Sequence, residues 1–573
     1  QSENFNETTQ SRTFFNQNLP YSIDEKSEDK SHDINHRIDA RLKYKIDDRN
    51  TLLIVPTLTI QQNEGISEGL TQTLSDNVVS NTLTNLFSSN LSGFNFSNRL
   101  VFVHRFENKK RLLNLQLRNS IRNSEGDNFT NATNFNVATS ENAVLNQNSI
   151  LDNRFQFYSV IARYTEPIGK KSTFTIGYTY ENEFNEAEIL TSTFNLVSEN
   201  YDLIEENLSS QFNNDYQSQR GELTYNYRKE KLNLTLKGSY QSAILEHFQA
   251  FPQEAVIEKS FNNFLPKISL RYKISKSQNL RFSLRSRTRL PNARDLQNVI
   301  DNNNPLRISV GNPNLNQQRS HIFDLKYSAN NPDKATVFFA YFRTSLYTDY
   351  IGRSTILAAK TDTINDIVIR KGAQFRQPIN FSGYLNNRFF MTYGLPLSKW
   401  KSNFNVNFGV NHRRIPSSLD GVTFFTNSEK ITTSFVLSSN ISPELDFTLK
   451  TTSTFDFAQS DMAENTKIFN QKTHATINYI FSKHWQVNSN MTHRYFDTFG
   501  GEPIDDFILW NVSFGYKFLA NNQAEIGLTL FDILNSNTTI QQYYNENSYT
   551  QKESLTLRQF IMVDFRYNIR DFG

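Results

Sequence analysis

The 573-residue chain contains no cysteine, which excludes disulfide staples, thiolate metal sites and cysteine nucleophiles. It also lacks any stretch near the roughly 18 uncharged apolar residues that a membrane-spanning helix needs, so helical transmembrane topology is excluded. Glycine is sparse at 20 residues, too few for a glycine-rich β-solenoid. Neither charge sign is in excess: 60 Lys and Arg stand against 57 Asp and Glu, and the balance makes no case for a nucleic-acid partner. Gln1 follows no basic and apolar leader, so a secretory signal is expected to have been removed or to lie outside these residues. No glycine-rich phosphate loop and no His-Glu-x-x-His occurs. The nine histidines are scattered, and only His32 and His36 lie close, beside an alternating segment where an i, i+4 pair does not converge on a metal. The expectation is a protein with no catalytic residues, no metal and no cofactor, and therefore not an enzyme.

What the chain does have is aromatic residues and alternation. It carries 48 Phe and 25 Tyr, far too many for disorder. Ile38, Ala40, Leu42, Tyr44 and Ile46 alternate with Arg37, Asp39, Arg41, Lys43 and Lys45, the mark of a strand with two unlike faces. The same period of two recurs at Phe404 to Val410, at Trp510 to Phe518, and at Ile561 to Ile569, where Asp564 and Arg566 occupy the polar face. About ten short turn signals, such as Gly169-Lys170-Lys171 and Lys276-Ser277-Gln278-Asn279, punctuate the chain. Between them the sequence accommodates pairs of strands joined by longer polar loops, read near 61–92, 124–150, 189–214, 291–318 and 352–374 and judged too polar to form a core. The count comes to about 22 strands, with residues 1–32 a polar segment supplying a first strand and loop, and 33–573 one domain.

The strands read between the turns, of about 12 to 16 residues, are about twice the length of those in a soluble sandwich, whereas a tilted strand crossing a bilayer needs about 9 to 11 residues. The fold expected is all-β: a large antiparallel transmembrane β-barrel with short periplasmic turns and long extracellular loops, integral to the outer membrane of a Gram-negative bacterium. Its apolar face meets lipid. Arg37, Asp39, Arg41, Lys43, Asp564 and Arg566 then face the lumen, as a hydrated wall or as contacts for a plug or solute. The closing strand is expected at Ile561 to Ile569, paired with the first strand.

The runs Phe264 to Tyr272, Asn279 to Ser283, Thr288-Arg289-Leu290-Pro291-Asn292-Ala293-Arg294-Asp295-Leu296 and Gly311-Asn312-Pro313-Asn314-Leu315, taken in this order, resemble the barrel of TonB-dependent receptors. Tyr164 to Gly169 and Leu530 to Asn535 add to the likeness. It is nearest to the branch whose members carry a carboxypeptidase-regulatory-like domain and a plug before the barrel. The resemblance implies uptake of a bulky ligand, with an upstream or separate plug, an inner-membrane energy-coupling protein and possible surface lipoprotein as partners. Neither a plug nor an energy-coupling box is recognisable within residues 1–32. An alternative is a plugless barrel subunit of an assembly or secretion complex. Pro266, Arg289, Pro291, Leu296, Gly311, Asn312, Pro313 and Leu315 carry the family-like motifs, and a structural role is expected for them, because Pro presets φ and Gly or Asn tolerates left-handed turns.

Overall fold

Alternating sequence folds here into one continuous antiparallel ladder. The computed structural model describes residues 2–567 except 15–20, 76, 109, 138, 297–299, 302–305, 359–360, 365–366, 370, 372, 440, 462, 498–503, 520–521, 537, 545–547 and 556–558. Among the described residues the main sheet has 31 strands. That number exceeds 22 because six staves are interrupted: Tyr21–Asp39 and Leu42–Lys45, for example, both pair with Asn50–Ser75. Joining such halves, and setting aside three short strands in the outer loops, leaves twenty-two staves. Tyr21–Asp39 runs without a break through residues 32 and 33.

The faces follow from register. Residues directly opposite in an antiparallel pair share a face. Leu113, Tyr164, Ile176 and Leu223 line up across four strands, and so do Val487, Phe514, Leu528 and Val563. Leu113 and Val487 are half-buried and the other six stand exposed, with Ile176 at 55% and Val563 at 66%. Such a belt would aggregate in water and is satisfied by lipid. The intervening positions, such as Asn488, Ser513 and Thr529, form the opposite, polar row.

Two segments read as loops are strand. Asn50–Ser75 and Val78–Arg105 are 26 and 28 residues long, and their ladder runs from Asn50 opposite His104 to Ser75 opposite Val78. Most of 61–92 and 124–150 therefore stands above the membrane as paired strand. Their Asn, Ser and Thr content reflects two wet faces, while the backbone bonds remain those of a sheet.

The ring closes differently from expectation. Phe560–Tyr567 pairs with Ala524–Phe531, and the contact with the first strand, Ser2–Phe14, is made by Ser548–Leu555. Register is the reason: Phe14 opposite Ser548 and Glu7 opposite Leu555 set the first strand beside the outer half of the last stave. Residues 568–569 lie outside the described residues.

Replacing Phe514 with Arg puts a charge on the lipid belt and is expected to cost about 2 to 4 kcal/mol near the midplane. Ser513→Asn, one residue away on the polar face, is expected to change stability by less than about 0.5 kcal/mol. Urea unfolding of the barrel in lipid vesicles measures both, and equal losses would contradict the assigned faces.

Candidate functional site

The outer mouth is where the chain departs from the regular ladder. After Gln278–Arg289, Pro291 cannot donate to the ladder, and Asn292 starts one helical turn, Ala293–Leu296, by accepting the Asp295 N–H at 3.0 Å and donating its amide to Asp295 at 3.1 Å. The chain returns as Arg307–Val310, which runs parallel to Gln374–Phe381 from the next long outer segment. The Gln374 N–H donates to the Leu306 carbonyl at 2.9 Å. Leu306, Ile308, Val310, Ile369, Ala373 and Phe375 then pack into a buried cluster with Leu83 and Ala132, which belong to Val78–Arg105 and Leu112–Asn136 on a distant part of the ring. The Asn81 amide also donates to the Lys371 carbonyl at 2.7 Å. Two outer segments thus fold inward and fasten to the far wall as a lid.

A second apolar contact fixes the root of the lid. Leu296 and Leu315 are buried against Leu245, with Tyr216, Phe261 and Ile351 around them. The Lys259 ammonium donates to the Leu315 carbonyl at 2.7 Å, the Asn312 amide to the Pro378 carbonyl at 3.0 Å, and the Gln377 amide to the Gly311 carbonyl at 3.2 Å. Of the motif residues, Leu296, Gly311, Asn312 and Leu315 come together here and Pro291 is buried nearby. Pro266 sits at the break between Ala255–Phe264 and Lys267–Lys273, where its carbonyl accepts the Ser286 N–H at 3.0 Å. Arg289 is exposed at a strand end and Pro313 is half-buried in the returning loop.

Below the lid the polar face carries compact ion clusters. Glu222, whose side chain is 3% exposed, accepts from Arg163 Nε at 2.7 Å and from the Lys237 ammonium. Arg163 and Glu222 lie on strands separated by Ser172–Asn195, and Gly177 stands between them in register. A Cβ there would come within 2.6 Å of Glu222 Cγ, so only glycine leaves room for the bridge. Asp324 similarly accepts from Arg343 Nε at 2.7 Å and the Tyr341 hydroxyl at 2.8 Å, with Arg285 at 3.8 Å.

Alternation alone had singled out a different set. Arg37 pairs with Asp39 at 2.7 Å, and the Thr57 hydroxyl donates to Asp39 at 2.8 Å. Arg41 and Lys43 are exposed, with no ion pair among the described residues. Arg566 approaches Glu525 at 4.0 Å, and Asp564 lies against the bare face of Gly527. No hydrogen bond or ion pair joins these two groups among the described residues. No set of three potential metal ligands is found among them either. The sequence also contains Gly65-Ile66-Ser67-Glu68-Gly69, which has the spelling of a nucleophile elbow. It lies mid-strand, the Ser67 hydroxyl donates to Asp29 at 2.6 Å, and His32 stands on the other face, so no Ser-His-acid set assembles.

Above the membrane, His247 is 2% exposed, its Nδ1 is 2.7 Å from Asn214 Oδ1, and its ring lies 5.8 Å from that of Phe212. Burial holds its pKa below the usual histidine value. The unfolded chain therefore binds the proton more readily, and the contribution of this contact is present above about pH 6.5 and is lost as pH falls through the lower folded value. Amide protection in Ser210–Phe251, taken relative to the intrinsic exchange rate at each pH, is expected to fall on acidification in the wild type, and His247→Gln is expected to flatten that dependence. Glu222→Gln leaves two cations facing one another, and a loss of about 3 kcal/mol is expected in urea unfolding. Gly177→Ala is expected to lose a comparable part by wedging Arg163 from Glu222.

The family profile of the outer membrane protein beta-barrel family matches residues 104–461. No curated protein matches the chain in sequence. Among solved structures, the chain is similar to the ferric citrate transporter FecA in its unliganded form, at 10% identity and TM-score 0.45, covering 96% of this chain and 78% of that one. The copper transporter OprC gives 10% identity and TM-score 0.43, with 98% and 80% covered. The alcaligin outer membrane receptor FauA from Bordetella pertussis gives 11% and 0.37, with 97% and 76% covered. The family profile spans more than half of a chain whose staves form one antiparallel ring with an apolar lipid-facing belt, and this protein belongs to the outer membrane protein beta-barrel family, integral to the bacterial outer membrane.

Proposed function

We propose that this is the barrel of a TonB-dependent receptor that admits a bulky ligand through a gated lumen, without covalent chemistry. The observation that carries the reading is the lid: Arg307–Val310 and the segment through Ile369, Lys371 and Ala373 are fastened by a small apolar cluster and the Asn81 hydrogen bond to strands on the far wall, while Gln374–Phe381, on which Arg307–Val310 seats, stays paired with Tyr350–Leu357. A barrel this wide needs a filled lumen to avoid leaking solutes, and a lid held by a few apolar contacts can be displaced by a ligand that binds the open form better. The motif runs that resemble TonB-dependent receptors supply the rest. A plug domain and an inner-membrane energy-coupling protein are the partners this reading requires, and a surface lipoprotein is a further one. Arg37, Asp39, Arg41, Lys43, Asp564 and Arg566 are proposed as lumen-wall contacts for the plug or the solute.

The absence of cysteine from these 573 residues permits a direct test of the lid. In the full-length protein, Asn81→Cys with Lys371→Cys is expected to tether the lid to the wall. A deletion strain carrying this variant should fail to grow on the nutrients whose use requires the gene, and should recover under mild reductant. Full growth with the tether demonstrably formed would contradict a gating lid.

A further inference from the structure

At several places carboxylates of the inner wall neutralise the cations beside them, as Glu222 and Asp324 do, and as Asp456 does for Lys430 at 3.0 Å. Leu445–Ser460, Ala463–Ile480 and Trp485–Phe496 break this habit. Register places Thr452, Lys472 and Arg494 in one row, and Lys450, His474 and Thr492 in the next. The row between them is Thr451, Thr473 and His493, and the same face continues in Leu449, Ala475 and Met491, with Leu449 44% and Met491 40% exposed to lipid, so both cationic rows face the lumen. Like charges directly opposite each other on adjacent strands destabilise a sheet. Here Lys472 opposes Arg494, and neither has an ion-pair partner among the described residues.

These side chains line a cleft of about 520 Å³ together with Thr454, Asn470, Gln471, Tyr495 and Phe496, and among the described residues no carboxylate contributes to its walls. His474 is fixed in place, its Nδ1 2.9 Å from the Thr492 hydroxyl and its Nε2 2.9 Å from the Thr476 hydroxyl. Short neutral groups flank the cations, among them Thr452, Thr454 and Asn470, and can serve the remaining lone pairs of an oxyanion. The volume falls within the usual range for small-molecule sites. We propose that this cleft binds a small free oxyanion of at least two negative charges, a phosphate or polycarboxylate, with Lys450, Lys472 and Arg494 as its binding residues. The cleft sits in the wall below the lid and does not depend on the uptake reading. Binding of such an anion relieves the repulsion between Lys472 and Arg494.

Calorimetric titration of the full-length protein in detergent, with inorganic phosphate and separately with citrate, tests the proposal. Saturable binding is expected, weakening as salt rises. Lys472→Gln is expected to weaken it by about tenfold, the worth of one charge-assisted hydrogen bond, and Lys472→Gln with Arg494→Gln to abolish it. Arg99→Gln, a lumen cation outside the cleft, should leave binding unchanged. A second reading guards against misfolding: in anion-free buffer the Arg494→Gln barrel should unfold at a higher urea concentration than wild type, and citrate should raise only the wild-type midpoint. Absence of binding by either anion up to about 10 mM, equal weakening by Arg99→Gln, or a destabilised Arg494→Gln barrel would each overturn the site. So would capture of a polypeptide carboxylate by a crosslinker at Lys472 in place of anion binding, which would give the cleft to a protein partner.

Discussion

A backbone crossing hydrocarbon has no water to bond, so every N–H and C=O at that depth must find a partner in the protein. A closed antiparallel ladder meets this demand with strands alone, and it fixes the side-chain pattern at the same time, since each residue then points either at lipid or into the lumen. The exposed apolar rows through Ile176 and Phe514 and the polar rows beside them are two consequences of the same register. Above the bilayer the ladder continues although the constraint of lipid has ended. Asn50–Ser75 and Val78–Arg105 stay paired to their tip, which gives the mouth rigid walls on which a lid can seat.

That rigidity divides the labour in the molecule. The wall holds charges in compact clusters, and Gly177 is bare so that Arg163 can reach Glu222 across an intervening strand. Among the described residues the lid is joined to the far wall by fewer contacts: one apolar cluster and the Asn81 to Lys371 hydrogen bond. The proposed gating would use this inequality: the far-wall contacts can be released without breaking the ladder pairing of Gln374–Phe381 with Tyr350–Leu357 at the root of the lid.

Much of the architecture was legible from period-two alternation, because a strand between lipid and water must alternate at every residue. The turns at Gly169 to Lys171 and Lys276 to Asn279 were readable for the same reason, lying where alternation stops. Average polarity misled at 61–92 and 124–150, where both strand faces are wet and composition no longer distinguishes strand from loop. The lid was half visible: Leu306, Ile308 and Val310 alternate, but nothing in their spacing shows that they meet Leu83 and Ala132. The opposed cations Lys472 and Arg494 are far apart in sequence and become neighbours only through register.

The alternation of environments along a single stave tests the account most directly. Nitroxide labels placed one at a time from Asn511 to Phe518, in lipid vesicles, should show accessibility to oxygen and to an aqueous nickel chelate in opposite phase with a period of two residues, oxygen favoured at Val512, Phe514 and Tyr516. Labels at Leu306 and Ile308 should be shielded from both. In-phase accessibility along the stave, or a period near 3.6, would contradict the barrel and everything built on its two faces.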